Sequence, residues 1–211
     1  GSQTPNTPVL FGYLLAVGAA TLAVIRHRGW WRLGWGVVAG SALWTLAWMQ
    51  SWAGGLAWVA AFEVAVAALF AWATERRLRE NENPRSEVAL LVWSALAVTG
   101  GLLVALVAQD GGEQLVGWLA LAVHGLGLFV LARWTPRFQA VAVLPPLLSL
   151  AALALCREVA DFAWIAGGLG ALWTAVAFAL LWNAARPGFW AGLAVGAALG
   201  HFLLCWFVLR D

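Results

Sequence analysis

The sequence predicts an all-α polytopic membrane protein, with eight transmembrane helices arranged as two parallel, tandem four-helix repeats. Composition, a regular series of apolar runs and internal similarity support this prediction. Of the 211 residues, 63% are hydrophobic and only 10% are charged, whereas about one-quarter of the residues in soluble domains are charged. A soluble chain of this size cannot bury so much apolar surface, so lipid is the expected solvent.

Eight apolar runs divide the chain, each long enough to cross roughly 30 Å of hydrocarbon at about 1.5 Å per residue. Because backbone groups in lipid must be satisfied internally, and the runs are too long for barrel strands, we expect helices. The longest polar link covers residues 75–87. The predicted spans are 9–25, 33–50, 55–74, 88–108, 114–132, 138–155, 161–182 and 189–209.

The predicted domain organisation follows from these runs. Residues 1–8 are interpreted as the scar of a cleaved tag followed by a tether, because the chain opens Gly1-Ser2 without methionine. Residues 9–108 form the first four-helix unit and residues 109–211 form the second. The stop at Asp211, just past the last run, indicates a piece excised from a longer protein.

The two halves share a ten-residue pattern. The segment 93–102, WSALAVTGGL, returns at 190–199 as WAGLAVGAAL, and the pair Ala57-Trp58 returns as Ala163-Trp164. Each match falls at the same point of its four-span block. Since each block has an even number of spans, the copies are expected to share one orientation, related by an axis along the membrane normal.

Arginine placement predicts the topology. The chain has twelve arginines and no lysine, and only Arg157 and Arg210 lie outside the links that follow the odd-numbered spans. The positive-inside rule therefore places the odd-numbered links in the cytoplasm and both termini on the opposite side of the membrane. Most of the sixteen tryptophans lie near span ends, as expected for the headgroup layer. Trp44 and Trp173 lie nearer the middle of their spans and are interpreted as packing residues.

A short motif near the N-terminus resembles a known family. The segments 11–15, FGYLL, and 28–33, RGWWRL, are similar to the bacterial family called domain of unknown function 2339, which contains large predicted integral membrane proteins. The likeness covers mainly the first two spans. It implies an inner-membrane location and a longer parent chain, and it brings no catalytic residues.

Three ionisable side chains lie deep inside predicted spans, namely Glu63, His124 and His201. Each lies on a helix face with small residues, where helices approach closely, so all three are predicted to point into the bundle. Intramembrane ionisable groups suggest proton relay, substrate binding or metal ligation. The alternative is that each hydrogen-bonds a neighbouring helix and serves packing. No metal-ligand spacing or haem motif accompanies them, so neither a metal nor another cofactor is predicted.

Pro145-Pro146 falls in the middle of the sixth span, where two amide donors are lost and the carbonyls one turn back are disturbed. One interpretation is a broken helix whose freed carbonyls line a site, and the other is a static kink. Cys156 and Cys205 are expected near the outer ends of their helices. A disulfide between them or two unpaired thiols are both compatible with the sequence.

The leading functional hypothesis is a non-catalytic membrane module of a larger bacterial envelope protein, organising lipids, other membrane proteins or the rest of its parent chain. It depends on the absence of any nucleotide-binding, nucleophile, zinc or nucleic-acid motif in the sequence. One alternative is a transporter or small-molecule binding domain with a site between the repeats, near Glu63, His124, His201 and Pro145-Pro146. The other is an intramembrane enzyme using Glu63 and a histidine as acid and base, for which no catalytic residue can be assigned.

Overall fold

The computed structural model describes residues 6–51, 54–80, 86–182, 184 and 186–210. These residues form eight α-helices and two 3-10 segments, and they contain no β-strand. The helices are α1 (Thr7–Arg28), α2 (Gly34–Ser51), α3 (Leu56–Glu80), α4 (Glu87–Gln109), α5 (Leu115–Trp134), α6 (Leu144–Leu155), α7 (Phe162–Leu181) and α8 (Pro187–Arg210). The 3-10 segments, Trp31–Leu33 and Pro136–Val143, precede α2 and α6.

Among the described residues, seven spans are long and apolar enough to cross a membrane, which confirms the all-helical, apolar character predicted from the sequence. One of them combines the second 3-10 segment with α6, as Phe138–Leu155. Helix α2 is not among the seven. It is eighteen residues long, but its three tryptophans, Gln50 and Ser51 keep its hydropathy below that of the helices that could span a membrane.

The start of α1 differs from the predicted tether. Thr7 and Pro8 already form its first turn, because the Asn6 side chain accepts a hydrogen bond from the Val9 amide at 3.4 Å. An asparagine in this position satisfies one of the amide donors that a helix leaves free at its N-terminus. Proline at the start of a helix costs no hydrogen bond. The other predicted tether residues, 1–5, lie outside the described residues, as do Trp52 and residues 81–85 of the long polar link.

The chain divides into two compact units, Gly1–Leu106 and Val107–Asp211. The division lies inside α4, two residues before the predicted end of the first unit. In the first unit, α1 packs on α2 and α3, and the Phe11 ring makes edge contacts with Trp48 and Phe62. Apolar rings in such contacts add about 0.5–1.5 kcal/mol to what their burial contributes.

The core of the second unit is a stack of three aromatic rings. Phe129 of α5 lies between Trp173 of α7 and Trp190 of α8, with ring centroids 5.8 and 6.0 Å away. Trp173 is fully buried, as predicted for a packing residue, whereas Trp44 in the first unit is 48% exposed, so the packing prediction for Trp44 is wrong. A tryptophan in mid-span can face either the protein or the lipid, and its position along the chain does not decide which.

The two units share two internal features. Each has a 3-10 segment before its second helix, and each has a buried hydroxyl on that helix bonded to a side chain of the next, Thr45 with Glu63 and Ser149 with Trp173. These features are compatible with a duplicated four-helix unit. The arrangement of the units as parallel repeats stays a prediction.

Helices α7 and α8 approach closely at Gly170. A Cβ atom on Gly170 would lie 2.8 Å from His201 Cβ, which is too close, whereas a Cβ on Gly168 of the same helix would meet nothing within 4 Å. We expect Gly170→Ala to lower the free energy of unfolding by about 1–3 kcal/mol, because the helices must separate. Gly168→Ala should be neutral or slightly stabilising, by up to about 1 kcal/mol, since alanine favours helix. Thermal unfolding of both variants in detergent tests this, and equal behaviour would contradict the close approach.

Candidate functional site

The three predicted ionisable residues are all buried. Glu63 of α3 is 0% exposed, His124 of α5 is 3% exposed and His201 of α8 is 2% exposed, which confirms that they point inward. Glu63 belongs to the first unit, and the two histidines belong to the second. A polar cluster shared by all three, and the acid/base enzyme that would pair Glu63 with a histidine, stay predictions.

In the first unit, the Glu63 carboxyl has a hydroxyl partner on α2. Thr45 Oγ1 donates to Glu63 Oε1 over 2.5 Å, and both residues are fully buried. The other carboxyl oxygen, Oε2, is buried and has no hydrogen-bond partner among the described residues. Small residues on the same face of α3, Ala60 and Ala67, are buried as predicted and let α3 approach its neighbours. The site is therefore one carboxyl group with one of its two oxygens hydrogen-bonded.

In the second unit, His201 takes part in a network that links three helices. Its Nε2 lies 2.9 Å from Ser149 Oγ of α6, and its Nδ1 lies 2.8 Å from the Ala197 carbonyl oxygen in its own helix. Trp173 Nε1 of α7 donates to the same serine oxygen over 3.0 Å. Ser149 is fully buried, and its hydroxyl connects α6 to both α7 and α8.

The protons of this network can be assigned from its acceptors. The Ala197 carbonyl can only accept, so Nδ1 of His201 carries a proton, and Nε2 of a neutral ring accepts from Ser149. The serine has one proton and a second acceptor in reach, the Pro146 carbonyl oxygen at 2.9 Å. A serine hydroxyl that donates its hydrogen bond to His201 Nε2 does not donate to the Pro146 carbonyl oxygen. All polar atoms of the three side chains are then engaged within the protein.

A serine oxygen 2.9 Å from an imidazole nitrogen has the separation found in nucleophile–base pairs. Here the serine is also held by Trp173 and is fully buried. His201 lines a groove between α7 and α8 of about 610 Å³, whose wall is mostly alanine, glycine and phenylalanine. The arrangement suits a structural link between helices better than an attack on a substrate.

Pro145 and Pro146 do not interrupt an α-helix, because the span changes from 3-10 to α geometry just before them. They occupy the first turn of α6, where no intrahelical amide donor is required. Both are buried, and a Cβ on Gly125 of α5 would lie 3.0 Å from Pro145 Cβ. The two prolines thus lie at a change of helix type, and Pro145 packs against α5 next to Gly125. That freed carbonyls line a site there stays a prediction.

Both cysteines are free thiols. Cys156 follows α6 and its sulfur lies 3.7 Å from the Val107 carbonyl oxygen. Burial raises the pKa of the Cys156 thiol, and the negative charge of Asp110 raises that pKa further. The described residues contain no group of three or more His, Cys, Asp or Glu side chains arranged to hold a metal ion.

The sequence interpretation missed the partners Thr45 and Ser149, and it assigned only packing to Trp173. A signal for two of them was present, since Ser149 is the only hydroxyl residue in 138–155, and Ser41 and Thr45 are the only two in 33–50. A buried ionisable group in an apolar bundle needs a partner, and few other side chains in these spans could supply one. Which helix each hydroxyl faces was not readable from spacing.

The described residues form an all-α protein with helices long and apolar enough to span a membrane, and a buried polar site lies within each unit. Comparison of the chain with known protein families, with curated proteins and with solved structures finds no match.

Proposed function

We propose that the chain is a non-catalytic integral membrane module of a larger bacterial envelope protein, which organises lipids and membrane partners. The observation that supports this most is the hydrogen-bond network around Ser149, because His201 and Trp173 both bond to this serine. An ionisable group that serves transport or catalysis keeps a polar atom available to its substrate, whereas Ser149 and the Ala197 carbonyl oxygen engage both ring nitrogens of His201. A histidine engaged by its own helix on one side and by a neighbouring helix on the other contributes to helix association instead.

We also propose a membrane topology and a family of parent proteins, both from the sequence. Arginine placement supports cytoplasmic links after the odd-numbered spans and periplasmic termini. The motifs FGYLL and RGWWRL support a parent protein similar to the domain of unknown function 2339 family. A module of this kind needs no cofactor and no nucleic acid.

A complementation experiment tests the non-catalytic role. A strain of the source organism that lacks the gene would receive the full-length gene carrying Glu63→Gln, His124→Gln and His201→Gln together. We expect rescue equal to that of the unaltered gene, provided that immunoblots show equal amounts of membrane-inserted protein. Val59→Arg, which places a charge at a fully buried position, is the control that should abolish rescue. Loss of rescue by the triple variant at an unchanged protein level would contradict a non-catalytic role.

A second candidate function is binding of an ion or small molecule by the first unit. The unpartnered Oε2 of Glu63 favours it, because a buried acceptor without a donor is rare unless it serves a ligand or a buried water. In the complementation experiment, this candidate requires that Glu63→Gln alone abolish rescue, while the two histidine substitutions leave rescue intact.

A further inference from the structure

A groove of about 400 Å³ lies between α1 and α2 in the first unit, with Phe62 and Val66 of α3 contributing to its floor. Three glycines line it, Gly18, Gly36 and Gly40. A Cβ atom added at Gly36 or Gly40 would meet nothing within 4 Å. The groove is therefore open because glycine has no side chain, and larger residues at these positions would fill it without moving its walls.

The length of the groove matches one leaflet of a bilayer. Its lining residues run from Leu14 to Leu22 on α1, and from Leu33, which ends the 3-10 segment, to Trp44 on α2. At the α-helical rise these stretches span about 12 and 16 Å. Half of the hydrocarbon core of a bilayer is about 15 Å thick. A single acyl chain of one leaflet can thus lie along the groove over most of its length.

One end of the groove carries positive charge. Because Leu33 lines the groove, the groove reaches the connection between α1 and α2. Arg28 is the last residue of α1, and Arg32 lies in the 3-10 segment of this connection. The Arg32 side chain is 91% exposed, and its 3.5 Å ion pair with Glu87 is at the surface, where such pairs contribute little. Arg26, in contrast, is held on α3, where it donates to the Trp72 carbonyl oxygen at 3.0 Å and lies over the Trp72 ring.

We propose that the α1–α2 groove binds one anionic phospholipid, with an acyl chain between Gly18, Gly36 and Gly40 and the phosphate headgroup at Arg28 and Arg32. This inference rests on the proposed function, since it names the lipid that the module organises. Arginines at the level of the headgroups attract anionic lipids. The apolar groove holds the acyl chain of the lipid, and the two guanidinium groups select its headgroup.

Native mass spectrometry of the purified full chain tests the site, with phosphatidylglycerol and phosphatidylcholine of identical acyl chains as probes. We expect one phosphatidylglycerol to be retained per chain, with a preference over phosphatidylcholine of about 5-fold if one arginine acts and about 30-fold if both do. Arg28→Gln with Arg32→Gln should reduce this preference to less than about 2-fold. Gly36→Leu with Gly40→Leu should abolish retention of both lipids.

Two matched controls lie outside the groove. Gly127→Leu adds the same bulk at a position on α5 that is also open, and Arg210→Gln removes a charge at the end of α8. Both should retain phosphatidylglycerol like the unaltered chain. Equal retention of the two lipids, or retention unaffected by filling the groove, would overturn the proposal, provided that circular dichroism shows the variants to be folded.

The outcome can be separated from that of the proposed function. If Gly36→Leu with Gly40→Leu binds phosphatidylglycerol normally while the Glu63, His124 and His201 variant still rescues the deletion strain, the groove is excluded as the site and the module remains. If phosphatidylglycerol is bound in the groove but that variant fails to rescue, the lipid site stands and the non-catalytic role is overturned.

Discussion

Thr45→Val is expected to lower the free energy of unfolding by roughly 2–4 kcal/mol, because it removes the only hydrogen-bond partner that the structure gives Glu63. Valine has nearly the shape of threonine, so packing between α2 and α3 is kept. The cost comes from a buried carboxyl left without any donor. Chemical unfolding of the purified chain in mixed micelles, followed by circular dichroism, measures it.

A matched control and a rescue make this prediction specific. Thr74 is also fully buried on α3, but its hydroxyl bonds to the Phe70 carbonyl of its own helix at 2.6 Å. Thr74→Val should therefore cost less than about 1 kcal/mol. Adding Glu63→Leu to Thr45→Val removes the unsatisfied carboxyl and should recover at least half of the loss. Equal costs at Thr45 and Thr74, or no recovery in the double variant, would show that the pair does not hold α2 to α3.

Ser149→Ala is expected to destabilise the second unit by about 1–3 kcal/mol, since the change removes two contacts between helices at once. Trp173 Nε1 loses its acceptor, and His201 Nε2 loses its partner. Ser41→Ala is the control, because that buried serine bonds to the Val38 carbonyl of its own helix at 2.9 Å. Its cost should stay within about 0.5 kcal/mol.

The network predicts coupling as well as cost. Trp173→Phe keeps an aromatic ring next to Phe129 but removes the indole donor. The loss in the double variant with Ser149→Ala should be smaller than the sum of the two single losses, because both remove the same bond. Thermal unfolding of the two single variants and the double variant in one detergent completes this double-mutant cycle. Additive losses would mean that Ser149 and Trp173 act independently.

The sequence predicted the helices well because the change from apolar to polar residues marks where a span leaves the hydrocarbon. The predicted run 88–108 corresponds to Glu87–Gln109, and 138–155 was predicted with the bounds that the structure gives for that span. The burial of Glu63, His124 and His201 was also predictable, since small residues beside a charged group indicate a helix contact. The repeated Trp-x-x-Leu-Ala-Val pattern is visible only at the level of sequence, and its meaning for the arrangement of the units stays a prediction.

The sequence by itself thus determined the class of the protein, the number and limits of most helices, and which ionisable groups are inside. Tertiary structure alone decided what those groups bond to. The partners Thr45, Ser149 and Trp173 depend on the rotation of each helix about its axis, and residue spacing along one helix does not set the rotation of its neighbour. The same holds for Pro145-Pro146, because whether two missing amide donors break a helix or begin one depends on the geometry of the turn before them.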